Sequence, residues 1–181
     1  TGLAAIAMVF LAYLKSGDHV LITDGVYEPA RALCAQSLSR LGITHSFYRP
    51  DGSDLAEKIQ PNTRMIYAEN PSSLIYELMD LRKVSALARQ HGCLLVVDNT
   101  WGSGILHQPL ALGADISLMA ATKYLSGHAD IMMGTVVTTK EVWQEMETVQ
   151  VNYGQTVGAD DAWLMLRGLR TLPVRMRTHQ E

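Results

Sequence analysis

Residues 93–99 read CLLVVDN, a nearly continuous apolar run that ends in a carboxylate and an amide. Such a run is typical of a β-strand that is buried on both faces of a sheet. The preceding stretch, DLRKVSALARQHG at 80–92, places its apolar residues on one helical face, and Gly92 lies just past its end. The two stretches together predict a helix that packs beside a buried strand.

The same alternation extends outward in both directions along the chain. Strands alternating with helices favour a mainly parallel α/β sheet with helices on both faces. The predicted strands are 19–23, 44–49, 64–69, 93–99, 115–121 and 134–139, and the predicted helices between the early strands are 28–42, 54–59 and 80–92.

Length, composition and charge describe an ordinary globular chain. Its 181 residues suffice for about one domain, and 48% hydrophobic with 18% charged residues excludes a disordered chain. The net charge of −3 is well mixed, so no nucleic-acid partner is expected. The apolar stretch before Lys15 is shorter than the roughly 20 residues of a membrane span and lacks a basic leader, so no membrane partner is expected.

Two cysteines, Cys34 and Cys93, lie far apart in apolar surroundings and fit no metal-binding spacing. They indicate free core thiols in a reducing compartment, which favours a cytoplasmic protein with no metal site. The chain starts at Thr1 in a helical pattern and stops at Glu181 in another. We therefore expect an internal piece of a longer polypeptide.

Polar side chains follow the predicted strands at one edge of the sheet. Ligands of such sheets gather at the carboxyl ends of the strands. The residues concerned are Asp24 with Tyr27, Glu69 with Asn70, Asp98 with Asn99, and Thr122 with Lys123.

Asp98 and Lys123 each allow a structural and a functional interpretation. Asp98 is either a turn or helix-cap residue, or a buried carboxylate that needs a cation: Lys123 or a protonated heterocycle. Lys123 is either solvated or ion-paired, or an amine desolvated by an apolar rim that forms a Schiff base. A Schiff-base lysine with a carboxylate for a pyridinium nitrogen is the arrangement that pyridoxal phosphate (PLP) requires.

A phosphate site and a stacking ring complete that hypothesis. Thr1-Gly2-Leu3 opens a helix, where free backbone N–H groups favour an anion, and Thr122 can add a hydroxyl. Tyr27 offers an aromatic face to a planar ring, although a half-buried loop tyrosine is an equal alternative.

The stretch from Asp115 to His128, DISLMAATKYLSGH, resembles the signature of the Cys/Met-metabolism PLP-dependent enzymes, the transsulfuration enzymes of fold type I. The resemblance covers the whole chain. The other segments that resemble the family are TGLAAI, GVYEP, ENPSS, VVDNTWGSG and GADDAWLMLRGLRTLPVRMRTH.

The resemblance implies PLP as cofactor and gives three residues roles on its ring. Lys123 would hold the cofactor covalently and later shuttle protons. Asp98 would pair with the pyridine nitrogen. Tyr27 would stack on the ring and assist proton transfer.

Other positions would contact the phosphate and the ring hydroxyl. Gly2 and Leu3 would bind phosphate through backbone N–H groups, and Thr122 through its hydroxyl. Many members carry a serine two residues before that threonine, where this chain has Ala120. An asparagine near the ring hydroxyl is replaced here by Ser73.

The Y-E-P and D-N-T-W segments resemble the bacterial cystathionine β-lyase branch. This implies a carbon–sulfur lyase of methionine biosynthesis whose substrate is a small sulfur amino acid: L-cystathionine is split by β-elimination into homocysteine, pyruvate and ammonia. The alternatives are a γ-lyase or γ-synthase reaction on the same scaffold and, more remotely, a non-catalytic regulatory or binding protein.

The family also implies an architecture and an assembly. Residues 1–181 would form most of a PLP-binding large domain with a seven-stranded-type sheet. An N-terminal segment and a small C-terminal domain would lie outside the chain. The protein would be a homodimer or homotetramer.

Overall fold

The computed structural model describes residues 1–181 and contains one six-stranded sheet. The strands are β1 His19–Thr23, β2 Thr44–Tyr48, β3 Thr63–Glu69, β4 Leu94–Asp98, β5 Ile116–Ala120 and β6 Gly134–Thr138. Their order in the sheet is β2-β1-β3-β4-β5-β6. The first five strands in the chain pair in parallel, and β6 pairs antiparallel with β5.

All six strands predicted from the sequence are present, so the mainly parallel α/β sheet is confirmed. The number of strands differs from the seven-stranded type, since the sheet has six. The antiparallel direction of β6 is compatible with a mainly parallel sheet. The β5–β6 connection returns to the neighbouring edge without crossing the sheet, and Ala120 and Gly134 are register partners at its two ends.

Seven α-helices surround the sheet: α1 Gly2–Tyr13, α2 Glu28–Ala32, α3 Leu55–Lys58, α4 Leu81–Gln90, α5 Trp143–Asn152, α6 Ala159–Leu169 and α7 Leu172–Gln180. Short 3₁₀ turns occupy Pro109–Leu112 and Lys140–Val142. The predicted helix over 28–42 changes pitch, because α2 continues as π-helix over Leu33–Leu38 and as 3₁₀-helix over Ser39–Leu41.

Helix α4 shows why the sequence signals were sufficient there. Its N-cap Asp80 accepts hydrogen bonds from the N–H groups of Arg82 and Lys83, which have no partner inside the helix. At its other end Gly92 adopts a left-handed conformation, with φ of 64°.

The hydrophobic core lies on both faces of the sheet, as expected for helices packed on both sides. Along β4, Val96 belongs to the cluster beneath α1, whereas Leu95 and Val97 belong to the cluster beneath α4. This alternation is the two-residue period of a strand that is buried on both faces. A third cluster joins the segment after β5 to α6 and α7, and includes Met119, Leu125, Ile131, Met165 and Met176.

Cys34 and Cys93 are free and buried, in agreement with the sequence. None of the helices combines the length and the apolar character that crossing a lipid bilayer requires. No three His, Cys, Asp or Glu side chains cluster closely enough to hold a metal ion.

Candidate active site

A cavity of about 320 Å³ opens where the carboxyl ends of the parallel strands meet the start of α1. All of the predicted site residues except Ser73 line it. Its walls are Thr1, Gly2, Leu3, Ile6, Tyr27, Pro29, Glu69, Asp98, Thr100, Ala120, Thr122, Lys123 and Met132.

Asp98 ends β4 and is only 5% exposed. Its Oδ1 accepts the Thr100 N–H at 3.0 Å and the Thr100 hydroxyl at 2.6 Å. Its Oδ2 has a single long contact, from the Tyr67 hydroxyl at 3.4 Å. The two interpretations of Asp98 therefore apply to different oxygens, because Oδ1 shapes a turn and Oδ2 keeps capacity for another donor.

Burial raises the pKa of Asp98, while the donors from Thr100 and the charge of Lys123 oppose the rise. No ion pair in the structure involves Asp98. Lys123 is therefore not the direct partner of this carboxylate. A buried carboxylate without a cation is costly, which favours the other partner considered, a protonated heterocycle.

Lys123 lies in the turn after β5, and its side chain makes no hydrogen bond or ion pair. The residue is exposed, as the solvated interpretation of Lys123 expects. Its Nζ lies 5.4 Å from the centre of the Tyr27 ring. An uncommitted amine therefore points at the face of an aromatic ring.

Arg175 on α7 fixes the backbone that follows the lysine. Its guanidinium donates to the carbonyl of Tyr124 at 2.6 Å and to the carbonyl of Leu125 at 3.2 Å. It also donates to the carbonyl of Gly168 on α6 at 2.8 Å. The turn that carries Lys123 is thus tied to both C-terminal helices.

Tyr27 precedes α2, and its side chain is 42% exposed. Its backbone N–H donates to Oε2 of Glu69 at 2.7 Å, which connects the loop after β1 to the end of β3. The ring is therefore half-exposed on a loop, as the structural interpretation expects, and also faces the amine of Lys123.

The start of α1 forms the opposite wall. Thr1 caps the helix by accepting the Ala4 N–H at 3.1 Å, which leaves the N–H groups of Gly2 and Leu3 without an intrahelical acceptor. A Cβ on Gly2 would lie 2.8 Å from Cβ of Ala120, so the helix start packs directly on the end of β5. These first-turn donors suit an anion.

Thr122 and Ser73 have other partners in the structure. The Thr122 hydroxyl donates to the carbonyl of Met133 at 3.2 Å and accepts the Met133 N–H at 3.0 Å. An anion can receive the hydroxyl proton only if the hydroxyl turns away from that carbonyl. The Ser73 hydroxyl donates to Oε1 of Glu69.

Among the wall residues that received no role from the sequence are Glu69, Thr100 and Met132. Glu69 was noted only as a strand-end residue, and burial raises its pKa to about 7. Thr100 could have been found, because the side chain of a turn aspartate commonly accepts the backbone N–H of the residue two positions on. Met132 carries no sequence signal that would place it here.

A second cavity of about 300 Å³ lies between α1, β6 and α5. It shares Thr1 and Met132 with the first cavity. Its charged lining consists of two carboxylates, Glu147 and Asp161. Without an amine it offers no group for covalent attachment of a carbonyl compound.

The side chains around the first cavity fit PLP. The free Oδ2 of buried Asp98 can accept a pyridinium N–H, and the uncommitted amine of Lys123 can bond to an aldehyde carbon. Tyr27 supplies an aromatic face, and the first N–H groups of α1 suit a phosphate.

Comparison of the sequence with known proteins also indicates a PLP-dependent enzyme. The chain matches the family described as Cys/Met metabolism PLP-dependent enzyme over residues 1–181. It is 48% identical over 180 residues to cystathionine beta-lyase of Bordetella avium, covering 99% of this chain and 45% of that protein. It is 42% identical over 183 residues to cystathionine beta-lyase MetC of Escherichia coli (strain K12), covering 99% and 46%.

A solved structure, cystathionine gamma-lyase from Lactobacillus plantarum complexed with L-serine, is similar at a TM-score of 0.93 and 32% identity. The match covers 96% of this chain and 46% of that one. The chain thus spans a little under half the length of these relatives. Since the family match includes every residue from 1 to 181, the chain belongs to the Cys/Met metabolism family of PLP-dependent enzymes.

Proposed function

We propose that this chain forms the cofactor-binding part of a carbon–sulfur lyase that splits L-cystathionine by β-elimination. The reaction consumes one water and yields homocysteine, pyruvate and ammonia. The proposal rests mainly on one cavity that is lined by both Lys123 and buried Asp98. The Lys123 amine has no hydrogen bond or ion pair, and Oδ2 of Asp98 has only one long contact. The high similarity to cystathionine β-lyases along the whole chain supports the choice of reaction.

When bound, PLP accepts the electron pair that is left on the amino acid's α-carbon after its proton is removed. Oδ2 of Asp98 accepts the ring N–H, and its ionised form favours a protonated ring. Nζ of Lys123 would hold the cofactor covalently and, as a free amine, would take the proton from the substrate Cα.

The remaining residues of the cavity wall would bind the phosphate and orient the ring of the cofactor. The N–H groups of Gly2 and Leu3 hold the phosphate, and the hydroxyl of Thr122 joins them after it turns from Met133. Tyr27 covers the ring beside Lys123 and assists proton transfer. Ser73, predicted near the ring hydroxyl, acts there only if its hydroxyl leaves Glu69.

A γ-elimination or γ-replacement on the same scaffold is the second candidate. It is favoured by 43% identity over 178 residues to cystathionine gamma-lyase of Bacillus subtilis and by the similarity to solved γ-lyase and metB structures. The two reactions share proton removal from Cα by Lys123. The two eliminations differ in which carbon–sulfur bond breaks, whereas γ-replacement exchanges the leaving group on Cγ for a thiol.

The proposal also places the chain in a larger protein. Residues 1–181 form most of the PLP-binding large domain, with an N-terminal segment and a small C-terminal domain outside them. The share of the relatives' length that the chain covers supports this division. The whole protein is a cytoplasmic homodimer or homotetramer that takes part in methionine biosynthesis.

Product analysis tests the reaction. The full-length protein, loaded with PLP, is incubated with L-cystathionine. Pyruvate with homocysteine is the expected result, whereas 2-oxobutyrate with cysteine identifies the γ-lyase reaction and overturns the β-lyase proposal. A Lys123→Ala variant provides the control for turnover that does not depend on this site.

A further inference from the structure

Glu69 is a buried carboxylate of the cavity wall to which the proposed reaction gives no part. It ends β3 and is 3% exposed. No ion pair involves it. Burial is the main cause that raises its pKa, and the neighbouring charge of Asp98 is the second. A residue this costly to bury needs a structural or functional reason.

The contacts of Glu69 give that reason. Oε2 accepts the backbone N–H of Tyr27 at 2.7 Å, and Oε1 accepts the hydroxyl of Ser73. One side chain therefore joins the loop after β1 to the loop after β3. Tyr27 is the N-cap residue of α2, so no helical carbonyl is available to its N–H.

The only hydrogen bond that Tyr27 donates is the one from its backbone N–H to Glu69. The hydroxyl of Tyr27 has no hydrogen bond, and its side chain does not cap α2. The ring nevertheless lies over Nζ of Lys123. Glu69 accepts a hydrogen bond from the backbone N–H of Tyr27, the residue directly before helix α2, which begins at Glu28.

We propose that Glu69 is a positioning residue that holds the ring of Tyr27 over Lys123. The inference rests on the proposed function, because it assigns Tyr27 to the ring of the bound cofactor. Glu69 makes no hydrogen bond or ion pair with Lys123 or Asp98. It acts through the Tyr27 N–H, and Ser73 orients its second oxygen.

The contact chemistry predicts which replacements preserve the arrangement. Glutamine keeps one carbonyl oxygen for the Tyr27 N–H and offers an N–H to the oxygen of Ser73, which can accept it. Alanine offers neither group. Methionine fills a similar volume but gives the Tyr27 N–H no comparable acceptor.

Hydrogen exchange at the Tyr27 amide tests the proposal on the full-length apoprotein and needs no catalysis. Glu69→Ala and Glu69→Met are expected to speed exchange at this amide about tenfold, because its hydrogen bond is lost. Glu69→Gln is expected to stay within about twofold of the wild type. Glu57→Ala, on exposed helix α3, is the matched control and is expected to change nothing.

A wild-type exchange rate in a folded Ala or Met variant overturns the proposal, as does a Gln variant that exchanges as fast as the Met variant. Glu69→Met is the second variant in case Glu69→Ala does not fold. In the PLP-loaded enzyme, kcat is expected to fall in the Met variant and to recover in the Gln variant. If exchange responds as expected while no variant or wild type eliminates from cystathionine, the positioning role stands and the proposed reaction fails.

Discussion

Glu69 and Asp98 are register partners at the carboxyl ends of β3 and β4, two buried carboxylates side by side on adjacent strands. Burial raises the pKa of each, and the charge of Asp98 raises the pKa of Glu69 further. Their hydrogen-bond partners differ, since Glu69 uses both oxygens on nearby loops whereas Asp98 keeps Oδ2 largely free.

Glu69→Gln is expected to stabilise the apoprotein in a pH-dependent manner. The folded pKa of Glu69 is about 7, above its ordinary value of 4.5. The folded state therefore holds the proton more tightly, and stability is lost as pH rises from about 4.5 to about 7. At about 1.4 kcal/mol per pKa unit, the ionised form costs about 3 kcal/mol, a loss that glutamine avoids.

Urea unfolding of both apoproteins at several pH values measures this difference. The advantage of the glutamine variant is expected to be small near pH 4.5, to grow toward pH 7 and to level off above it. An advantage that is equal at all pH values would contradict the assigned pKa.

Asp98→Asn is expected to abolish most activity while the fold persists. The remaining oxygen can still accept both groups from Thr100, but the new amide cannot accept a pyridinium N–H. We expect kcat to fall about 100-fold or more, as for loss of a well-aligned electrostatic partner. Steady-state kinetics at saturating PLP, with Asp51→Asn as a surface control, provide the measurement, and wild-type turnover would refute the role of Asp98.

Lys123→Arg is expected to leave the protein folded and catalytically dead. Arginine keeps the charge but stays protonated, so it cannot bond to the cofactor aldehyde. Because the lysine is exposed and has no hydrogen bonds, the free energy of unfolding should change by less than about 0.5 kcal/mol. Visible absorbance after removal of free PLP reports covalent binding, and retained absorbance would exclude Lys123 as the attachment site.

Thr100→Val is expected to destabilise the site without changing its shape. The Thr100 hydroxyl donates to Asp98 at 2.6 Å and accepts the Ala120 N–H at 2.9 Å, so it links the ends of β4 and β5. Valine leaves both partners without this contact, at a cost of about 1–3 kcal/mol. Chemical denaturation compares the variant with Thr148→Val, whose exposed hydroxyl bonds locally within α5; equal losses would count against a specific role for Thr100.

Gly2→Ala is expected to weaken PLP binding by moving the start of α1. The added Cβ would lie 2.8 Å from Cβ of Ala120, closer than side chains approach each other. Overpacking of this kind costs about 1–3 kcal/mol, and an equal loss of binding free energy lowers the affinity about 5- to 150-fold. Titration of the apoprotein with PLP checks this, and adding Ala120→Gly should restore part of the affinity.

The strands and the rim residues were predictable because their signals are local. CLLVVDN is apolar throughout and ends in its carboxylate, so both the buried strand β4 and the position of Asp98 at its end follow from adjacent residues. Asp80 and Gly92 mark the limits of α4 in the same way.

The direction of β6 was not predictable, because alternation in GTVVTT does not distinguish parallel from antiparallel pairing. The contact from Glu69 to the Tyr27 N–H joins two loops far apart in the chain through a backbone group, which has no residue-specific signal. The exposure of Lys123 depends on how the turn after β5 leaves the sheet, and an apolar strand before it does not determine that path.

The return of β6 beside β5 makes the lysine turn a closed loop with both ends on neighbouring strands. Three hydrogen bonds between Thr122 and Met133 close the base of this loop, and Lys123 is the residue directly after Thr122. The amine of Lys123 is therefore attached close to the sheet. Insertions at the exposed tip of the loop, at 128–129, are expected to lengthen it at little entropic cost and to leave its hydrogen-bonded base unmoved.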